Sequence, residues 1–288
     1  MHFEITHRTS YRYSLPVSLE PHTLRLRPRS DGAQRLVSWD VAMSPEPAGM
    51  SECTDTDGNA ALLVWFNGYT DRLDIKTHFT LETLRDNPFD YVITSGAVQL
   101  PMMGYAPEVE TALDAYRKSQ GIQKTVCDFA AEIATEADWQ VVPFLTLLTD
   151  RLHKQIKSMV RLTGHALTSA ETLAQGEGAC RDTAVLFIDL CRSLGLAARF
   201  VSGYHPGFSE TEERHLHAWA EVYLHGAGWR GYDPSYGVAV SDKHIAVAAA
   251  YTPALAAPVT GLYRSHGASS TFTAEIGLVM HDMLPAVR

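Results

Sequence analysis

The chain is poor in cysteine, with only Cys53, Cys127, Cys180 and Cys191 among 288 residues. Four cysteines with no CxxC spacing neither build a disulfide framework at this length nor suggest a structural zinc site. Long apolar runs are also missing: nothing approaches the roughly 20 residues that cross a bilayer. The segment Met1-His2-Phe3-Glu4-Ile5-Thr6 alternates like a strand and lacks the basic and apolar regions of a secretory signal, so a cytoplasmic protein is the default expectation. Positive charge is the minority sign. With 24 Lys and Arg against 33 Asp and Glu, the net charge is −9, and no basic stripe relieves it. Neither nucleic acid nor an anionic membrane is therefore an expected partner. Internal repeats and low-complexity segments are absent as well.

What is present is ordinary for a folded protein: 45% hydrophobic and 20% charged residues argue against disorder, and the length allows two domains. Residues 1–85 carry period-2 patterning: Phe3 and Ile5, Leu24 and Leu26, then Val37, Trp39 and Val41. Asp57-Gly58-Asn59 marks a turn before the dense strand Ala61 to Phe66, and Ile75, Thr77, Phe79 and Leu81 alternate again. This pattern predicts an N-terminal β-sandwich or small barrel. Residues 86–105, with Pro88, Pro101 and Gly104, read as a linker. Helical spacing follows over Val109 to Ala134 and over Val142 to Met159, with Pro143 in the first turn of the second helix. Residues 106–288 are expected to form one catalytic core with C-terminal strands. The whole reads as an α+β protein.

The sharpest chemical signal is Gly178-Ala179-Cys180-Arg181-Asp182. Cys180 stands at the start of an amphipathic helix whose apolar face holds Phe187, Ile188, Leu190, Cys191 and Leu194, and which Gly195 ends. Unpaired backbone N–H groups and the helix dipole at such a position favour a thiolate, the nucleophilic form. Cys191 and Cys127 read instead as small buried hydrophobes, and Cys53 as incidental. A strand follows at Ala197 to Ser202. The next, His215 to Leu224, puts His217, Trp219, Glu221 and Tyr223 on one face and Ala218 and Ala220 on the other. Gly226 and Gly228 turn the chain back toward Asp233-Pro234, so His217 and Asp233 should lie on adjacent antiparallel strands. The small face of the strand can pack on the Cys180 helix, provided that the strand end overhangs the helix tip. Cys180 as nucleophile, His217 as base and Asp233 as its orienting carboxylate then suit acyl transfer. The Cys180 N–H is one oxyanion donor, and Gln175 and Trp139 are candidates for the second. Tyr204, Trp219 and Trp229 are candidates for the cleft lining.

These blocks resemble the transglutaminase-like superfamily. The resemblance rests on Gly178 to Asp182, Arg192-Ser193-Leu194-Gly195-Leu196-Ala197-Ala198-Arg199, Ser202-Gly203-Tyr204, His217-Ala218-Trp219-Ala220-Glu221-Val222-Tyr223 and Trp229-Arg230-Gly231-Tyr232-Asp233-Pro234. The N-terminal β region, including Asp57-Gly58-Asn59, is similar to the β domain preceding the core in the bacterial members. The resemblance implies a papain-like, transglutaminase-like core with the nucleophile helix on an antiparallel sheet. It also implies a cysteine protease or amidase acting on a peptide or protein, or a transglutaminase if an amine accepts the acyl group, with no cofactor and no metal. Asp242-Lys243-His244-Ile245 and Pro258-Val259-Thr260-Gly261 match the pattern as well. Between them Tyr251-Thr252-Pro253 replaces the family's Arg-Asp-Tyr run, which implies a different substrate preference if that segment borders the cleft.

Two other readings compete. A non-catalytic peptide-binding module could keep the fold, though binding alone does not require all three groups. His215 and His217, with His205 nearby, could hold a zinc ion for a hydrolase, but no carboxylate stands at the usual ligand spacing.

Overall fold

The computed structural model describes residues 1–94, 98–207 and 214–281. The predicted polar loop around Pro206 to Arg214, part of the predicted linker and the end of the predicted core thus lie partly outside the described residues. Six strands come first: β1 (His2–Leu19), β2 (His22–Leu24), β3 (Gln34–Ser44), β4 (Gly49–Thr54), β5 (Ala60–Trp65) and β6 (Thr70–Thr83). The helical region follows with α1 (Pro107–Leu113), α2 (Lys124–Glu136), α3 (Val141–Gln155), the short strand β7 (Lys157–Ser158), α4 (Ser169–Gln175), the short strand β8 (Glu177–Gly178) and α5 (Cys180–Ser193). Next come β9 (Ala198–Tyr204), β10 (His217–Leu224), β11 (Gly228–Asp233), β12 (Val238–Ala239) and β13 (Ile245–Ala250). The last strands are β14 (Val259–Thr260), β15 (Tyr263–Arg264) and β16 (Ser270–His281). No helix is long and apolar enough to cross a membrane among the described residues.

The N-terminal strands form two sheets. One runs β15-β1-β6-β3 with β16 also on β1, and the other runs β14-β2-β5-β4. Alternation in β1 and β6 turns Val17, Leu73 and Ile75 against Leu24, Leu62 and Val64 of the second sheet. Burying each such side chain contributes roughly 1.5–3 kcal/mol, so this shared core accounts for the pairing of the two sheets. In β3 a register shift between Leu36 and Ser38 interrupts the expected alternation and leaves Val37 exposed.

Two sequence expectations are corrected here. The helix expected over Val109 to Ala134 is two helices, α1 and α2, with a 3-10 turn and a loop between them. Gly121, at φ 86°, takes the left-handed conformation that breaks the pattern. The last three strands also do not join the sheet that carries His217. β16 pairs with β1 from His2↔His281 to Tyr13↔Ser270, and β14 pairs with β2, so the chain returns to the N-terminal sheets. Period-2 patterning reports that a strand exists but not which neighbour it pairs with, and β1 offered a free edge.

The second unit is an antiparallel sheet in the order β12-β11-β10-β9-β13. As expected, Ala218 and Ala220 of β10 lie in one buried cluster with Ala184, Phe187 and Leu190 of α5. The small residues let the helix approach the sheet closely. On the opposite face, Glu221 turns toward Arg29 of the N-terminal region, Trp219 packs against Val201, Ala246 and Ala249, and both are buried.

The free edge of β13 is closed by side chains rather than by another strand. The Gln34 amide donates to the Ala246 carbonyl at 2.8 Å and accepts from the Ala246 N–H at 2.8 Å. The Asn59 amide does the same to Ala249, 2.8 Å in each direction. Each planar amide therefore presents one donor and one acceptor, as a neighbouring strand residue would. A buried ion pair lies beside them: Glu221 accepts from Arg29 at 2.6 Å and from Arg199 at 2.6 Å. Burial alone would raise the Glu221 pKa, but the two guanidiniums outweigh it and hold the carboxyl down at about 2. Replacing Asn59 with alanine strands one buried N–H and one buried carbonyl of β13. The expected loss is about 2–4 kcal/mol of stability, measured as a lower urea midpoint, and Gln34→Ala is expected to act alike.

Candidate active site

Cys180 is the first residue of α5, and its presentation depends on the residues on either side. Asp182, fully buried, folds back so that its Oδ2 accepts from the Ala179 N–H at 2.8 Å, the reverse arm of a capping box. Its Oδ1 accepts from the Leu167 N–H at 2.8 Å and from Arg161. A side chain at Gly178 would meet the Asp182 Cβ at 3.0 Å, which accounts for the glycine. Beside the motif, β7 and β8 pair in parallel, and Met159 N–H donates to the Gly178 carbonyl at 3.1 Å. That clamp fixes the segment 158–166 as one wall beside the cysteine. As the first helical residue, Cys180 has no acceptor within the helix for its own N–H.

His217 is the first residue of β10 and Asp233 the last of β11. The His217 Nε2 donates to Asp233 Oδ2 at 2.6 Å. The Cys180 thiol lies close enough to the His217 ring to favour its charged form, and with Nε2 engaged by Asp233 the nitrogen left to face the thiol is Nδ1. The strand end thus overhangs the helix tip, as the sequence reading required. Gly203 stands opposite His217 in the register, where a Cβ would lie 2.1 Å from the Ile245 carbonyl and 2.5 Å from the Trp219 ring.

Asp233 is fully buried and takes four donors. Oδ2 accepts from His217 and, at 3.0 Å, from His244 Nε2, while Oδ1 accepts from the N–H groups of Ser235 at 2.9 Å and Tyr236 at 3.2 Å. Burial pushes the Asp233 carboxyl up, but the two imidazoles prevail and hold it well below the usual carboxylate range. For His217, burial disfavours the charged ring, yet Asp233 and then Cys180 overcome this and raise its pKa to about 10. His205, whose ring lies 4.6 Å from that of His244, is driven down to about 3 by burial and by its two histidine neighbours. The site therefore holds its proton on one histidine while the others stay neutral. Ligand atoms of His217, Asp233 and His244 lie within 4.8 Å of one another, so these three could hold a metal ion. That group replaces the His205, His215 and His217 set that the sequence suggested.

Cys180 and His217 open into a cavity of about 860 Å³ between the core and the N-terminal sheet. Its lining includes His7, Thr9, Phe272, Ala274 and Ile276 from β1 and β16, and Pro253 and Ala254 after β13. Pro253 belongs to the Tyr251-Thr252-Pro253 segment, so the departure from the family pattern does border the cleft. The other cleft candidates fare differently. Tyr204 and Trp219 are 1% and 0% exposed and do not line the cavity. Tyr204 is buried at the interface, hydrogen-bonded to His7 at 2.8 Å, and Trp219 packs edge-on against His244. Tyr204 is thus drawn into the contact between the two units, while Trp219 is packed within the core against Val201, Ala246 and Ala249. Gln175 is exposed at the end of α4, and Trp139 is bound through its backbone carbonyl to Leu100, so neither reaches the cavity as an oxyanion donor. Trp229 instead stacks edge-on with Tyr116 and Tyr223, outside the lining. Cys191 is buried in the α5 face, where burial raises its pKa well above the usual value, and Cys53 is exposed on β4.

The residues that the sequence reading left without a role are His244 and His7. The signal for His7 was present, since it continues the inward alternation of Phe3 and Ile5. His244 stood in a matching block, immediately before a strand, but nothing local points it at Asp233.

Comparisons with known proteins place the chain in a family. Residues 3–82 match the bacterial transglutaminase-like N-terminal region, and residues 128–234 match the transglutaminase-like superfamily core. An uncharacterized protein of Mycobacterium tuberculosis is 27% identical over 307 aligned positions, covering 96% of this chain and 92% of that protein. One from Mycobacterium leprae is 34% identical over 112 positions, 37% of this chain and 39% of its own length. The crystal structure of a candidate cysteine protease from Cytophaga hutchinsonii superposes with a TM-score of 0.72 at 19% identity, covering 99% of this chain and 93% of that one. The chain is a bacterial transglutaminase-like protein, a strand-rich N-terminal region joined to a core of papain-like fold.

Proposed function

We propose that the chain is a thiol-dependent acyl-transfer enzyme that hydrolyses amide bonds through Cys180, His217 and Asp233. The observation that carries this reading is that Cys180, at the tip of α5, and His217, hydrogen-bonded to the buried Asp233 carboxylate, line the same cavity, with the thiol near enough to help raise the His217 pKa. In the proposed cycle the Cys180 sulfur attacks the amide carbonyl carbon, and the carbonyl oxygen gains charge beside the Cys180 N–H. The C–N bond breaks as His217 Nδ1 gives its proton to the departing amine, leaving a thioester. Water then adds to the thioester, its proton passes to His217, and the acid leaves as the thiol is regenerated. Asp233 keeps the ring oriented and stabilises its charged form, and His244 holds the carboxylate from the other side.

Cys180→Ala is expected to abolish hydrolysis of a peptide library, with at least a thousandfold loss as an approximate figure for a nucleophile. Supplying a primary amine separates the two acceptors. Hydrolysis should persist, and amine incorporation without hydrolysis, read by mass spectrometry, would instead make the protein a transglutaminase.

The pH dependence is specific. His217, raised to about 10, keeps its proton below that pH and loses it as pH rises through it. The rate of the amide-cleavage step is therefore expected to fall only near pH 10. In Asp233→Asn the group that raises His217 is gone, so the alkaline limb should move down toward neutrality. An unmoved limb would remove His217 as the proton donor.

A further inference from the structure

The chain carries a net charge of −9, yet among the described residues the cavity is lined by Arg161, Arg181 and Arg214 beside the charged His217, with no Asp or Glu. Two of these arginines flank the nucleophile. Arg181 follows Cys180 directly, and Arg161 lies on the adjoining wall. Arg161 is paired with Asp182, whose other bonds go to backbone N–H groups. Arg181 has no carboxylate partner among the described residues; its Nη2 donates to the Thr163 carbonyl at 2.7 Å. The Nε groups of both arginines are buried without an acceptor. Burial and the neighbouring Arg161 charge both disfavour a charged Arg181. Two partly desolvated guanidiniums thus share one buried carboxylate, and among the described residues the wall is one negative charge short.

We propose that Arg181, with Arg161 beside it, is a carboxylate-binding subsite, and that the acyl donor bears an acidic group next to the bond that Cys180 attacks. This rests on the acyl-transfer reading above. A guanidinium suits the role because its planar fork matches a carboxylate, and such charge-assisted bonds strengthen in a site shielded from water. The substrate carboxylate would also supply the missing counter-charge during the thioester stage. The shared chemistry is a carboxylate, whether from an acidic side chain or from a chain terminus.

The test compares alkylation of Cys180 by iodoacetate, an anion, and by iodoacetamide, its neutral analogue, in the wild-type chain and in Arg181→Gln. The ratio of the iodoacetate rate to the iodoacetamide rate is expected to be about tenfold higher in the wild type, and to shrink as salt is raised. Arg181→Lys, which keeps the charge, should restore part of the ratio. If Arg181→Gln slows both reagents equally, Arg181 acts only on the thiol and the subsite is overturned. A wild-type Cys180 that reacts with iodoacetamide at neutral pH no faster than a free thiol would instead defeat the acyl-transfer reading. A second arm uses peptide amides paired as Glu against Gln beside the cleaved bond, and as free against amidated C-termini. Preference for Glu assigns a side-chain carboxylate, and preference for the free terminus assigns a terminal one. Equal turnover in both pairs would sink the proposal.

Discussion

A single buried carboxylate organises the site. Asp233 has no exposure to water, and an isolated ion in such a place would be prohibitively costly, so every lone-pair direction must find a donor. It finds four, from β10, from the turn after β11 and from the segment before β13. Those bonds fix where three separate pieces of chain can lie. The His217 ring, held at Nε2, can turn only its Nδ1 toward Cys180. The helix tip must then be where it is, and the Gly178–Asp182 brace holds it there. The geometry of the thiol is in this sense a consequence of satisfying one oxygen-rich group in a dry interior.

The two units depend on each other through similarly polar contacts. Tyr204 occupies the interface, bonded to His7, and Arg29, Gln34 and Asn59 reach across it to Glu221 and to the edge of β13. A sheet edge closed by side-chain amides cannot recruit a foreign strand, which is one way to protect an otherwise templating surface. The same arrangement makes the N-terminal sheet a wall of the cavity, through His7 and Thr9 on β1. The β domain thereby shapes the space that the substrate would occupy.

Much of this was legible from the residues. Cys180 at a helix start, the His217 strand, the glycine hairpin and Asp233 carry their own local signals, and the alanine face of β10 announced the contact with α5. Less legible were features set by distant parts of the chain. His244 reaches Asp233 because β13 lies beside β9, a pairing that no local pattern encodes. Trp219 and Tyr204 looked like cleft residues because alternation gives the face but not what covers it. The destination of β16 was hidden for the same reason: its exposed positions give a weak apolar period, and strand partners are a property of topology.

The return of β16 to β1 has a temporal consequence. Phe272, Ala274 and Ile276 are synthesised after every other residue that lines the cavity, and they pair with the first strand to emerge. The cysteine, the histidine and their helix can be assembled while this wall is still missing. Until β16 pairs with β1 that side of the cavity lacks its wall, so a polypeptide shortened before β16 would carry Cys180 in an open cleft.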